Sequence, residues 1–341
     1  MLDIVRFLLM EGLIDKYVTY IRDIRRYSVR TVDIYERAVR DFAAFAADGD
    51  TVISDDELVD SMKPNLIRNY EFTLLEQKPP MSPRTVSLHL SALSGFCRYL
   101  MKEGKLGSNP VKLVVKPKVE KRLPHFFKKD AMEDYFVKTQ YLVEPEFMKA
   151  FETSEKVDSL KKPYESLLSR VIVSALYSLG VRRAELIGLR VADVDFGRNV
   201  VKVHGKGDKM REIPLVVSLS EEILLYLKAV ETVCGGKRSL TEPLLVTFDG
   251  KGLYPSYVDR VIKKELGDIK GITGRKSPHV LRHSLATELL NEEADLNSIK
   301  ELLGHSSLAA TQVYTHSSIA RLKTIYEHAH PRAKNGGKHG D

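Results

Sequence analysis

Two kinds of apolar spacing run through the chain, and the change from one to the other organises it. Ser28 precedes apolar positions at Val32, Tyr35, Val39, Phe42 and Ala46, three or four apart, and Gly49 follows. That is the pattern of a capped amphipathic helix. A further helix is predicted over 65–76. Ser82-Pro83 then reads as a cap followed by proline at the first helical position. Val86, Leu90, Leu93, Phe96, Cys97 and Leu100 mark one face of the helix that follows, and Gly104 stops it. Residues 1–107 thus predict a small four-helix domain. Between Gly107 and Pro124 the apolar rhythm gives way to three prolines and a run of lysines, which predicts an extended linker over 108–124.

Beyond the linker the two spacings mix. Helical periodicity covers 129–138, 144–151 and 164–179. Short alternating stretches at 191–196, 200–204 and 210–214 predict an antiparallel meander, with Gly205-Lys206-Gly207-Asp208 as the turn between the last two. Helices return at 220–230, 255–266, 278–290 and 296–303, and a last amphipathic one is predicted over 319–330. These elements form a second domain, 125–330, with a small antiparallel sheet in a mainly α chain. Residues 331–341 are rich in glycine and lysine and predict a flexible tail.

Composition adds limits. With 341 residues, 43% hydrophobic and 29% charged, the chain is of ordinary globular type and long enough for two domains. Its two cysteines cannot form a disulfide framework, which fits a reducing compartment. No apolar run approaches the roughly 18 residues of a membrane span, and the stretch 4–10 carries Arg6 and lacks a cleavage site, so a cytoplasmic protein is expected. The formal net charge is +7, and most of the excess falls after residue 120. That balance permits a nucleic-acid partner without requiring one.

Most familiar chemistries are missing: there is no phosphate-binding P-loop, HExxH, paired CxxC or GxSxG. The His279 and His283 pair has metal-like spacing, but Arg282 lies beside it with no acidic partner, so neither metal nor cofactor is expected. What remains is a set of cations and one tyrosine. His279 and Arg282 lie three apart at a predicted helix start, with Ser277 as cap and Pro278 in the first turn, so they can share a face suited to an anion. His305 follows the stop glycine Gly304, Tyr314 comes nine residues later, Arg182 joins two helices, and Lys206 sits at the hairpin tip. Taken singly, each has a plain explanation: a surface ion pair for Arg182, solvation for Lys206, favourable end charge for His305, packing for Tyr314. Only their combination points to chemistry.

In order and spacing, Arg182, Lys206, His279, Arg282, His305 and Tyr314 resemble the six-residue signature of the tyrosine recombinase (phage integrase) family, and the block from His279 to His316 is similar to that family's hallmark segment. Tyr326 to Ala333 and Asn109-Pro110 are similar to the Xer site-specific recombinases, while Thr85 and Leu90 to Leu93 match the N-terminal core-binding (SAM-like) domain. The resemblance implies the tyrosine recombinase fold, and cleavage and rejoining of duplex DNA through a 3′-phosphotyrosyl intermediate, independent of metal and ATP.

In that scheme Tyr314 is the nucleophile, and Arg182 and Arg282 grip the nonbridging oxygens with planar guanidiniums. His305 adds a donor, His279 assists proton loss from a phenol whose ordinary pKa is ~10, and Lys206 protonates the leaving 5′ oxygen. Glu185, one turn past Arg182, supports that helix or an arginine.

Arg84, Lys112, Lys116 and Lys118 are candidate DNA contacts. The implied partners are DNA sites with inverted arms, a homo- or hetero-tetramer on two sites, a second Xer-type recombinase and a DNA translocase. The implied setting is the nucleoid, in chromosome dimer resolution and segregation at cell division. An integrase or DNA invertase of a mobile element uses the same chemistry, and a type IB topoisomerase or a non-catalytic DNA-binding protein are the further alternatives. The resemblance also suggests that 319–330 docks into a neighbouring protomer, although a helix closing its own domain fits the sequence equally. His89 and Ser94 stand where relatives often carry arginines, which predicts fewer phosphate contacts from that helix.

Overall fold

The computed structural model describes residues 12–48, 53–118, 125–154, 156–205, 210–304, 326, 330 and 332. Lys206, His305, Tyr314 and most of 319–330 lie outside the described residues. The chain divides into two units, Met1–Arg122 and Leu123–Asp341.

In the first unit, α1 (Leu13–Thr19) continues through a wider turn at Tyr20–Ile24. It is followed by α2 (Val29–Ala46), the short α3 (Asp55–Ser61), α4 (Pro64–Glu76) and α5 (Pro83–Lys102). Of these, α2, α4 and α5 are the segments that the apolar spacing predicts. The extra α3 is a two-turn helix closed by a reciprocal cap, in which Ser54 Oγ accepts from the Glu57 amide and Glu57 accepts from the Ser54 amide. Ser28 and Ser82 cap α2 and α5 through the amides of Thr31 and Thr85. Val39, Phe42, Leu90, Leu93, Phe96 and Leu100 close the core with no exposed surface.

The expected linker begins later than its composition suggests. Pro110–Leu113 forms a 3₁₀ turn, and Val111 and Val114 are buried in the core of the first unit. Asn109 fixes this turn by donating to the Ser94 carbonyl at 3.2 Å and the Ser94 hydroxyl at 2.9 Å. Two valines spaced three apart on one side of a tight turn bury enough apolar surface to override the extended bias of the prolines.

The second unit is built around α8 (Lys161–Leu179), in which every residue from Leu167 to Leu179 is buried. A helix buried on all sides must be enclosed on all sides, and α10 (Val217–Cys234), α11 (Pro255–Glu265) and α12 (Pro278–Asn291) pack against it. Ahead of it come α6 (Lys129–Lys138) and α7 (Pro145–Thr153). After it come the short α9 (Arg183–Gly188) and the antiparallel sheet β1 (Val194–Asp195), β2 (Val200–His204) and β3 (Met210–Pro214), in that order. The first strand is shorter than predicted because Val191–Asp193 forms a 3₁₀ turn, pinned by the Arg190 amide donating to Asp193 at 2.8 Å. The last described helix, α13 (Leu296–Leu303), is capped by Asp295, which accepts from the Ser298 amide.

The predicted flexible tail also needs correction at its start. Arg332 is 7% exposed and its guanidinium donates to Glu222 at 2.7 Å and to Ser174 at 2.9 Å. It stacks 4.0 Å from the Phe136 ring centre, and His330 beside it is fully buried against the Ser178 carbonyl. A buried guanidinium with a carboxylate partner holds this part of the chain where glycine content predicts freedom.

Candidate active site

The site grows from the end of α8. Gly180 adopts φ +57°, which favours glycine, and a Cβ there would lie 2.8 Å from the ends of both the Leu285 and Leu303 side chains, which would have to move. The turn places Arg182 at the start of α9, with Glu185 one turn on. Glu185 accepts from the Arg182 amide at 2.8 Å and from Arg182 Nη1 at 2.7 Å. Glu185 thus binds both the start of α9 and the arginine.

From β3 a third group joins them. Val203 pairs with Arg211 across the sheet, so Arg211 lies on the same buried face as Ile213. Its Nη2 and Nη1 donate to the two Glu185 oxygens at 2.8 and 3.2 Å, and its Nε donates to the Leu302 carbonyl at 2.9 Å. From α12, Arg282 donates to the Gly180 carbonyl at 2.7 Å and to the Leu303 carbonyl. Arg182 Nη2 completes the set on the Gly304 carbonyl at 2.9 Å. Three guanidiniums therefore take three successive carbonyls at the end of α13. A helix C-terminus leaves its last carbonyls unpaired and carries partial negative charge, so cations are stable there.

One carboxylate serves this cluster. Burial works against its charge, but the hydrogen bonds from Arg211 and from the Arg182 amide prevail and hold Glu185 from its ordinary 4.5 down to about 2. Arg282 is pushed down to about 10, first by burial and then by the positive charges of Arg182 and Arg211. At neutral pH the cluster holds three cations and one anion. The Arg182 side chain is 39% exposed, whereas Arg211 and Arg282 are 6% and 7% exposed as residues. Arg182 is thus the guanidinium most open to an incoming anion, and its Nε–H has no partner among the described residues.

The other expected site residues fall differently. His279 is exposed at the start of α12 while Arg282 is buried three residues later, so the shared face splits at the surface. Ser277 precedes α12 as expected, but its side chain makes no capping bond. Arg84, Lys112, Lys116 and Lys118 are all exposed on the first unit, and Lys116 donates to Ser91 at 3.2 Å. His89 is buried, with Nδ1 3.1 Å from the Tyr70 hydroxyl, so it serves the first unit's core, whereas Ser94 is half-buried and its hydroxyl accepts from Asn109 and from Arg98. Among the described residues, no group of three or more His, Cys, Asp or Glu could hold a metal ion, and no helix is long and apolar enough to cross a membrane.

Arg211 is the residue that the sequence reading missed. Its signal is an arginine alternating with Ile213 on the inward side of a strand, a position where a charge needs a carboxylate.

The phage integrase family profile matches residues 145–321, a span holding the arginine cluster, and the N-terminal SAM-like domain of phage integrases matches residues 14–104. The chain belongs to the phage integrase family. It is therefore an enzyme of the tyrosine recombinase class. The chain is 34% identical to tyrosine recombinase XerC of Pelobacter propionicus, an alignment covering 91% of this chain and 92% of the relative. It is 31% identical to XerC of Chlorobaculum tepidum over 93% and 94% of the two chains. In fold it is similar to XerH site-specific recombinase bound to palindromic difH substrate, with a TM-score of 0.59 and 17% identity over 94% of this chain and 82% of that one.

Proposed function

We propose that this recombinase cleaves and rejoins duplex DNA at a defined site through a 3′-phosphotyrosyl bond formed by Tyr314. The observation that carries the reading is the cluster of Arg182, Arg211 and Arg282 at the end of α13, in which Glu185 binds Arg182 and Arg211, Arg282 holds the Gly180 and Leu303 carbonyls, and Arg182 is open to solvent. In-line attack on a phosphodiester places growing negative charge on oxygens that preorganised cations stabilise without reorganising. Arg182 and Arg282 grip those oxygens and His305, directly after Gly304, adds a donor. His279 assists loss of the phenolic proton, and Lys206 protonates the departing 5′ oxygen. The phosphotyrosyl bond conserves the energy of the broken bond, so an incoming 5′ hydroxyl displaces the tyrosine without ATP.

The substrate is duplex DNA with inverted arms, bound on the first unit through Arg84, Lys112, Lys116 and Lys118. Four protomers act on two sites, as one chain or with a second Xer-type recombinase and a translocase. Alignment with XerC proteins over nearly the full chain supports a role in chromosome dimer resolution in the nucleoid, ahead of an integrase or invertase role. The test incubates the protein with fragmented DNA of its source organism, quenches in SDS and sequences the covalently attached fragments. Recovery of one chromosomal site with inverted arms is expected. Attachment scattered over all sequences contradicts site specificity.

A further inference from the structure

We infer that Arg211 is a positioning residue for catalysis: by occupying both oxygens of Glu185 it prevents that carboxylate from sequestering Arg182, and so keeps Arg182 available to the scissile phosphate. The inference rests on the function proposed above. Arginine and carboxylate prefer a two-pronged pairing. Glu185 sits one turn from Arg182 and could take that guanidinium whole. Instead Arg211 donates to both Glu185 oxygens, leaving Arg182 one side-chain bond to the carboxylate at 2.7 Å and one to the Gly304 carbonyl.

Two further features support this. Arg211 brings the cluster from a net charge of one to a net charge of two, and a phosphodiester under attack by a phenolate carries about two negative charges. Arg211 Nε also holds the Leu302 carbonyl, and a Cβ on Gly304 would lie 3.1 Å from Arg211 Nη1, so its fork fixes the end of the helix that leads into His305. Arg211 itself is buried and reaches no substrate; it acts through Arg182 and this helix end.

The test compares wild type, Arg211→Met, Glu185→Gln and the double variant in single-turnover cleavage of a nicked duplex carrying the site recovered by covalent capture. Arg211→Met is expected to slow cleavage about 100-fold, the scale of losing one oxyanion donor, with DNA affinity within about threefold of wild type. Adding Glu185→Gln to Arg211→Met neutralises the carboxylate and is expected to recover about tenfold in rate, a non-additivity that a general packing role does not produce. Should Arg211→Met not fold, Arg211→Lys with and without Glu185→Gln gives the same comparison, because lysine cannot fork across both oxygens. Cleavage by Arg211→Met within about threefold of wild type, or a double variant slower than the single, overturns the inference. Loss of covalent capture in wild type would instead remove the underlying functional reading.

Discussion

Replacing Glu185 by glutamine tests whether one carboxylate neutralises the arginine cluster. The side chain keeps its size, but its amide then presents donors to guanidiniums that donate at 2.7, 2.8 and 3.2 Å. A carboxyl held at about 2 rather than its ordinary 4.5 contributes roughly 3 kcal/mol at neutral pH, at about 1.4 kcal/mol per pH unit of displacement. Because the folded value lies below the unfolded one, this stability is fully present above 4.5 and lost as pH falls towards 2. The assay is urea unfolding followed by circular dichroism, from neutral pH downward. The transition of the second unit is the one that the Arg332 variant described below also moves. Glu185→Gln should lower its stability by about 3 kcal/mol at neutral pH, and the gap to wild type should narrow by about 1 kcal/mol by about pH 3.5. A neutral-pH gap under about 1 kcal/mol, or one unchanged with pH, would refute the reasoning.

Two other substitutions probe the frame of the site. Gly304→Ala forces a side chain into φ +64° and sets its Cβ 3.1 Å from Arg211 Nη1; it should cost about 1–2 kcal/mol in urea unfolding, and full stability would contradict the described turn. Arg332→Met leaves Glu222 with Arg170 as its remaining cation, so the loss should fall at the low end of the cost of breaking a buried ion pair, about 3 kcal/mol; an unchanged midpoint would show that Arg332 is not buried in solution.

Much of the fold was legible because its signals are local. The periodic faces of α2 and α5, the serine caps and the glycine stops each follow from a few neighbouring residues, and the boundaries of β2 and β3 match the alternation. The failures are cases where distant contacts decide. Val111 and Val114 join a core assembled from helices earlier in the chain, and Arg332 is held by Glu222 across 110 positions of sequence. At the site, Arg182, Arg282 and Glu185 could be read from spacing and family resemblance. Arg211 could not be read that way, because its partner lies 26 residues away on another element. The split between exposed His279 and buried Arg282 likewise depends on how α12 lies against α8 and α13, which three-residue spacing does not encode.

The central claim is that Tyr314 forms the covalent bond to DNA, and it is tested most directly by Tyr314→Phe. The variant and wild type are incubated with a radiolabelled duplex carrying the recovered site, and each sample is divided between a native binding assay and an SDS-quenched gel. Loss of the single hydroxyl should abolish the SDS-resistant complex while leaving DNA affinity within about threefold of wild type. A covalent complex that persists in Tyr314→Phe would contradict the account.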